Sequence, residues 1–315
     1  MRMNLVKDTL FYAKVLLFGE YGIIEDSMGL SIPYSQFYGE LTTESNDEFA
    51  KISNQNLKNL FAYLKQLSND KKLFAKLNLD ALEKDLNNGL SFNSSIPQGF
   101  GVGSSGALVA AIYTRYAKNP PKSNTWNRGD IILQLKKELG QIESYFHGQS
   151  SGLDPLICYL KLPVLIKSKE NVGLAALPDD SNKNGAIFLI NSGQPSSTST
   201  MVSIFLEKCK EQGFRKMVKT TLKQYNDACI RAFLERQEKP LFENLKKLSA
   251  LFLENFQPMI PKNIEELWKK GLETNTYYLK LCGSGGGGYI LGFTQDLEKT
   301  QALLSDQEIS IVCKL

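Results

Sequence analysis

The stretch IPQGFGVGSSGALVAA, Ile96 to Ala111, holds four glycines and two serines between Gly99 and Gly106 and then turns apolar. Glycines in such a run let backbone approach a ligand closely, because no Cβ stands in the way. Read literally, Gly101 to Gly106 satisfies the dinucleotide fingerprint G-x-G-x-x-G, and Gly283 to Gly288 satisfies it again. Context speaks against both. A dinucleotide fold needs the motif directly after a buried apolar strand. The residues before this loop, SFNSSIPQGF, are polar and include Pro97, which removes a ladder donor. The second match lies between two predicted strands, with no helix N-terminus to receive a pyrophosphate. A Walker-type loop fails too, since no lysine occurs between Lys84 and Lys118. Two readings remain: a glycine turn ahead of a helix, or a phosphate loop whose cation and metal carboxylate come from elsewhere in the chain. In the second, Gly101 and Gly103 admit an oxyanion. Ser104 and Ser105 then sit at a helix start, where unpaired N–H groups and the helix dipole attract phosphate.

The chain of 315 residues is long enough for two domains, and its 42% apolar and 22% charged residues suit a globular protein with a substantial core. A net charge of +4 is too weak for a nucleic-acid footprint and suits an anionic small molecule. The five cysteines are scattered without a C-x-x-C pair, which argues against a disulfide framework or zinc site and for a reducing compartment. The basic and apolar N-terminus is interrupted by Lys14 and lacks a small-residue cleavage site, so it reads as a strand. No apolar run approaches the ~20 residues that cross a bilayer. The expectation is a cytoplasmic protein without membrane or nucleic-acid partners.

Strands are predicted at Phe11–Phe18, Tyr34–Thr43, Gly89–Ser95, Leu162–Ile166, Ala186–Ile190, Tyr277–Cys282, Tyr289–Phe293 and Ile309–Val312. Helices are predicted at about 46–68, 71–86, from Ser104, Asp130–His147, 198–212, 215–236, 240–256, 262–273 and 296–305. HGQSSGLDP reads as a turn, and the polar segment Asn171–Asn184 as a domain boundary, giving domains 1–180 and 181–315. The class is α+β.

Three residues stand out. Lys14 lies in an apolar strand, which is expensive without an anionic partner. Glu143 lies beside the ridge Ile131, Leu135, Leu139, Ile142 and Phe146, so partial burial is expected against the alternative of a solvated helix flank. Asp154 sits in an Asp-Pro pair that a plain turn would equally explain. Together with the loop, these groups supply what phosphoryl transfer requires: a backbone cradle, a hydroxyl and carboxylate for Mg²⁺, an acid-base aspartate and a balancing lysine. Ser-His-Asp catalysis would have to use His147, the single histidine, and no nucleophile elbow accompanies it.

IPQGFGVGSSGALVAA resembles the phosphate motif P-x-x-x-G-x-G-S-S-A of the GHMP small-molecule kinases. KVLLFGEYGII is similar to their first motif, LKLCGSGGGGYILGF to their third, and ESYFHGQSSGLDP to the mevalonate kinase pattern E-x-x-x-H-G-x-x-S-G-x-D. The likeness runs in order from Lys14 to Phe293. It implies a two-domain fold: an N-terminal domain like the second domain of ribosomal protein S5, and a ferredoxin-like C-terminal domain, with ATP between them. It also implies, residue by residue, Mg²⁺ on Ser105 and Glu143, proton acceptance by Asp154, and Lys14 beside it. Gly101, Val102, Gly103, Ser104, Ser105 and Gly106 match the β/γ-phosphate loop. Gly283, Ser284, Gly285 and Gly286 match the third-motif loop, and Thr198 a site threonine. Glu20 and Tyr21 fall where the family holds its acceptor.

The chain departs from the family at Tyr12-Ala13-Lys14, where Ala-Pro-Gly-Lys is usual, and at Gly106, where alanine is usual. It departs again at Tyr21, where mevalonate kinases carry histidine and bacterial phosphomevalonate kinases typically carry tyrosine. The implied activity is ATP-dependent phosphorylation of the primary hydroxyl of mevalonate or a related hydroxy acid, a step of isoprenoid precursor synthesis. Phosphomevalonate kinase is the alternative, ahead of a sugar kinase or an inactive ligand-binding relative. A homodimer is compatible with the sequence.

Overall fold

The computed structural model describes residues 9–45, 47–178 and 184–315. The chain runs β1 (Phe11–Phe18), β2 (Gly29–Thr42), α1 (Glu48–Asn69), α2 (Leu79–Asn87), β3 (Ser91–Ser94), α3 (Ser104–Tyr116), α4 (Gly129–His147), α5 (Leu153–Leu160), β4 (Val164–Ser168) and β5 (Asn171–Leu174). It continues β6 (Ala186–Asn191), α6 (Thr198–Lys208), α7 (Gln212–Met217), α8 (Lys223–Leu234), α9 (Glu238–Asn255), α10 (Lys262–Thr274), β7 (Tyr277–Leu281), β8 (Tyr289–Thr294), α11 (Leu297–Leu303) and β9 (Ile309–Lys314). The expected α+β class is what forms. The domain boundary expected at 180/181 lies outside the described residues. The chain divides into two compact units, each discontinuous in sequence: Met1–Lys14 with Ile32–Pro97 and Gly103–Leu162, and Val15–Ser31 with Gln98–Val102 and Pro163–Leu315.

In the first unit, β3 pairs antiparallel with β2 over Gly39–Thr42, and α1 packs on β3. Asp47 caps α1 by accepting from the Ala50 N–H, and Leu57, Leu60 and Leu64 form its buried stripe. The second helix begins at Leu79 rather than near 71. Lys71 has a left-handed backbone (φ 56°), Leu77 bridges Ala117, and Asn78 caps the helix that follows. Helices α3, α4 and α5 pack on one another. Glycine and alanine on α3 (Gly106, Ala107, Ala110 and Ala111) keep its buried face thin enough for that approach.

The segment read as a turn contains helix α5. Leu153, Leu156, Ile157 and Leu160 are buried at i, i+3, i+4 and i+7, a helical stripe that the Asp-Pro signal obscured. Proline is well tolerated in a first helical turn, where its missing N–H has no partner to lose.

In the second unit, Gly29–Ser31 of β2 pairs with β4, and β4 with β5, so the segment from Asn171 opens as a strand instead of an irregular stretch. A second sheet is antiparallel in the order β7-β8-β6-β9, with α9 and α10 packed on β7. Every residue of β7 and β8 is buried. The helix expected from 215 starts at Gln212 and passes through a π segment, Val218–Leu222, into α8.

Candidate active site

In the first unit, β1 carries Lys14 into the interior, where it is 3% exposed. Its ammonium meets the Asp154 carboxylate at 3.0 Å, and that carboxylate, in the first turn of α5, keeps 40% of its side chain exposed. The cost of burying the lysine is thereby offset by a partner that still reaches solvent. Gly103 ends the glycine loop with φ 82° and opens α3; a Cβ there would come within 2.8 Å of Lys14 Cγ. Only glycine suits both the backbone and the space. No side chain caps α3, so the N–H groups of Ser104, Ser105 and Gly106 are left for solvent or a ligand, and the first helical bond runs from the Ala107 N–H to the Gly103 carbonyl.

The Ser105 hydroxyl donates to Glu143 Oε1 at 3.1 Å, and the Ser150 hydroxyl donates to Oε2. His147 Nε2 lies 3.0 Å from Ser105 Oγ. Glu143 is 4% exposed, so the expectation of partial burial understates it. Burial, and after it the negative charge of Asp154, push its carboxyl up to about 7, against the pull of the Ser150 and Ser105 hydrogen bonds and of Lys14. Burial pulls the His147 imidazole below its usual range, with Asp154 opposing. Lys14, Ser105, Glu143 and Asp154 therefore form one constellation.

Gly106 stands where a Cβ would meet the Asp154 carbonyl carbon and the Pro155 nitrogen at 2.9 Å each. Glycine at this position thus accompanies a close approach of α3 to α5 at Asp154.

In the second unit, Gly101 has φ 78°, and a Cβ there would lie 2.4 Å from the Cys282 carbonyl oxygen; Val102 is buried beside it. Gly283, Gly285 and Gly286 all adopt positive φ. Thr198 opens α6, and Ser284 Oγ lies 3.5 Å from Thr198 Oγ1. Glu20 is paired with Lys280 at 2.5 Å, both side chains 1% exposed. The Tyr21 hydroxyl donates to the Ser284 carbonyl oxygen at 2.5 Å. The structure thus gives both candidate acceptor residues partners inside the protein.

Three functional-looking residues escaped the sequence reading. Lys280, in the apolar strand YYLKL, bears the same signal that marked Lys14. His147 stands in the E-x-x-x-H-G-x-x-S-G-x-D likeness, but no motif gives it the contact with Ser105. Ser150 carries no signal of its own, because its role depends on how the chain turns back after α4. Among the described residues there is no cluster of three or more His, Cys, Asp or Glu able to hold a metal, and no helix long and apolar enough to cross a membrane.

No protein-family model matches the chain, and no curated protein matches it in sequence. Solved structures do match along its length. The mevalonate kinase of Methanococcus jannaschii superimposes with a TM-score of 0.61 at 19% identity, covering 97% of each chain. The phosphomevalonate kinase of Streptococcus pneumoniae gives 0.60 at 14% identity, covering 97% of this chain and 98% of that one. The galactokinase of Lactococcus lactis gives 0.61 at 11% identity, covering 97% and 93%. These enzymes are all GHMP kinases, and the chain has the two-domain fold that they share.

Proposed function

We propose that the protein is a GHMP kinase that uses ATP and Mg²⁺ to phosphorylate the primary hydroxyl of mevalonate. The observation that carries the reading is the Lys14–Asp154 pair, which keeps a charged lysine buried against a carboxylate that solvent still reaches. In this reading Asp154 accepts the proton of the acceptor hydroxyl. Lys14 places a positive charge 3.0 Å from the Asp154 carboxylate, where it favours the developing alkoxide. The backbone from Gly101 to Gly106 cradles the β- and γ-phosphates at the uncapped start of α3. Gly283 to Gly286 and Thr198 are assigned to the nucleotide as well.

The donors fit Mg²⁺. Ser105 Oγ and Glu143 Oε1, 3.1 Å apart, present a hydroxyl and a carboxylate, the hard oxygen ligands this ion takes alongside phosphate and water. Glu143, whose burial disfavours its charge, is a carboxylate that a bound cation would satisfy. When bound, the ion neutralises charge on the phosphate oxygens.

The alternative acceptor is phosphomevalonate, supported only by the likeness of Gly19-Glu20-Tyr21 to the first motif of bacterial phosphomevalonate kinases and by no contact of Tyr21. A coupled ADP-release assay with mevalonate, phosphomevalonate, galactose and other sugars tests both. Turnover on mevalonate is expected. Turnover on phosphomevalonate alone selects the alternative, and turnover on neither acid removes the isoprenoid reading. A small acceptor, a cytoplasmic location and a homodimer belong to the same proposal.

A further inference from the structure

Tyr21 sits at the position from which the family's resemblance would have it face the acceptor, yet its surroundings point elsewhere. Its side chain is buried, its ring stacks on Phe205 at 4.5 Å, and Phe256 lies 5.6 Å away. Its hydroxyl is spent on the Ser284 carbonyl oxygen. Its backbone is left-handed, φ 59°, a conformation that costs a non-glycine residue and persists only where the surroundings enforce it. The neighbouring residue makes a parallel attachment: Glu20 is paired with Lys280 of β7, four positions before Ser284. Two consecutive side chains of one turn thus grip the strand and the loop that continues it.

That loop needs holding. Gly283, Gly285, Gly286 and Gly288 all have positive φ, and glycine-rich backbone is the most costly to order. The turn itself is fixed from its far side. Asp227 accepts from the Met28 N–H at 2.9 Å, Asn226 donates to the Met28 carbonyl at 2.8 Å, and Arg215 and Lys219 pair with Glu25. A rigid turn therefore presents Tyr21 to the start of a loop whose later part is held by the Gly286 and Gly288 N–H groups, which donate to the Met259 and Gln194 carbonyls, so the Tyr21 hydroxyl adds a hold at Ser284.

We propose that Tyr21 is a positioning residue whose phenol O–H latches the Gly283–Gly288 loop, so that it governs nucleotide affinity and not acceptor affinity. The link to nucleotide rests on the kinase reading; the latch itself does not. Tyr21→Phe keeps the ring stack and removes only the hydroxyl, so the full-length variant should fold. Hydrogen exchange of the ligand-free protein is expected to rise about 5–10-fold at residues 283–288 and to stay unchanged in α8 and β8, the scale of one lost hydrogen bond. ATP affinity measured by calorimetry should weaken by a similar factor while the acceptor KM stays within about twofold. Unchanged exchange at the loop would overturn the proposal. So would a uniform rise across the unit, or an acceptor KM that rises while ATP affinity holds. If the unaltered protein binds no ATP, the kinase reading falls, and the loop exchange still decides the latch.

Discussion

Two lysines of this molecule are buried in apolar strands, and each is paired with a carboxylate, but the pairs are built differently. Lys280 and Glu20 are sealed together, with each side chain 1% exposed. Lys14 is as deeply buried, at 4%, while its partner Asp154 keeps 40% of its side chain in contact with solvent. A carboxylate sealed on all sides can stabilise a structure but cannot meet a substrate proton. One held by a buried cation and open on its far side can do so. Exposure of the anion, more than the presence of an ion pair, separates the pair proposed to react from the structural one.

Breaking the sealed pair should have the largest effect on stability. Glu20→Ala strands a buried ammonium and is expected to cost about 3–5 kcal/mol in urea unfolding, whereas Glu20→Leu with Lys280→Met should recover most of that loss. A small loss from Glu20→Ala would mean that the pair is not sealed. Lys14→Met gives the contrasting pattern. Asp154 remains partly solvated, so the unfolding midpoint should move little, while kcat falls by about 10²-fold through loss of the balancing charge. A strong loss of stability with normal kcat in that variant would erase the distinction between the pairs. Gly106→Ala should act more mildly, since its Cβ meets α5 backbone at Asp154. About 1–3 kcal/mol of destabilisation is expected, with a lower kcat, because the displaced backbone bears the carboxylate proposed to react. Preserved stability and kcat would show that α5 shifts without consequence.

The same contrast explains what the sequence made legible. A lysine inside an apolar strand announces a buried partner, and Lys14 did so. Lys280 carries an identical signal within YYLKL, next to a glycine run whose own signal concerns backbone. Most of the fold was legible because hydrophobic periodicity and glycine loops are local: β1 begins and ends where expected, and α4 differs by one residue. Helix α5 hides behind the Asp-Pro dipeptide, a local turn signal, although its four buried residues keep helical spacing. The late start of α2 depends on a bridge between Leu77 and Ala117, forty positions apart, which no local pattern reveals. Tyr21 is the clearest limit. Its place in a motif pointed to a ligand, whereas its ring and hydroxyl are committed to Phe205 and Ser284, contacts visible only once the chain has folded.

The central claim is that Asp154 takes the acceptor proton. Its most direct test is the rate of ADP release from mevalonate by Asp154→Asn, measured beside ATP affinity in the same preparation. A kcat lower by at least ~10² is expected, with ATP binding retained, on the scale of a lost general base. A near-normal kcat would contradict it.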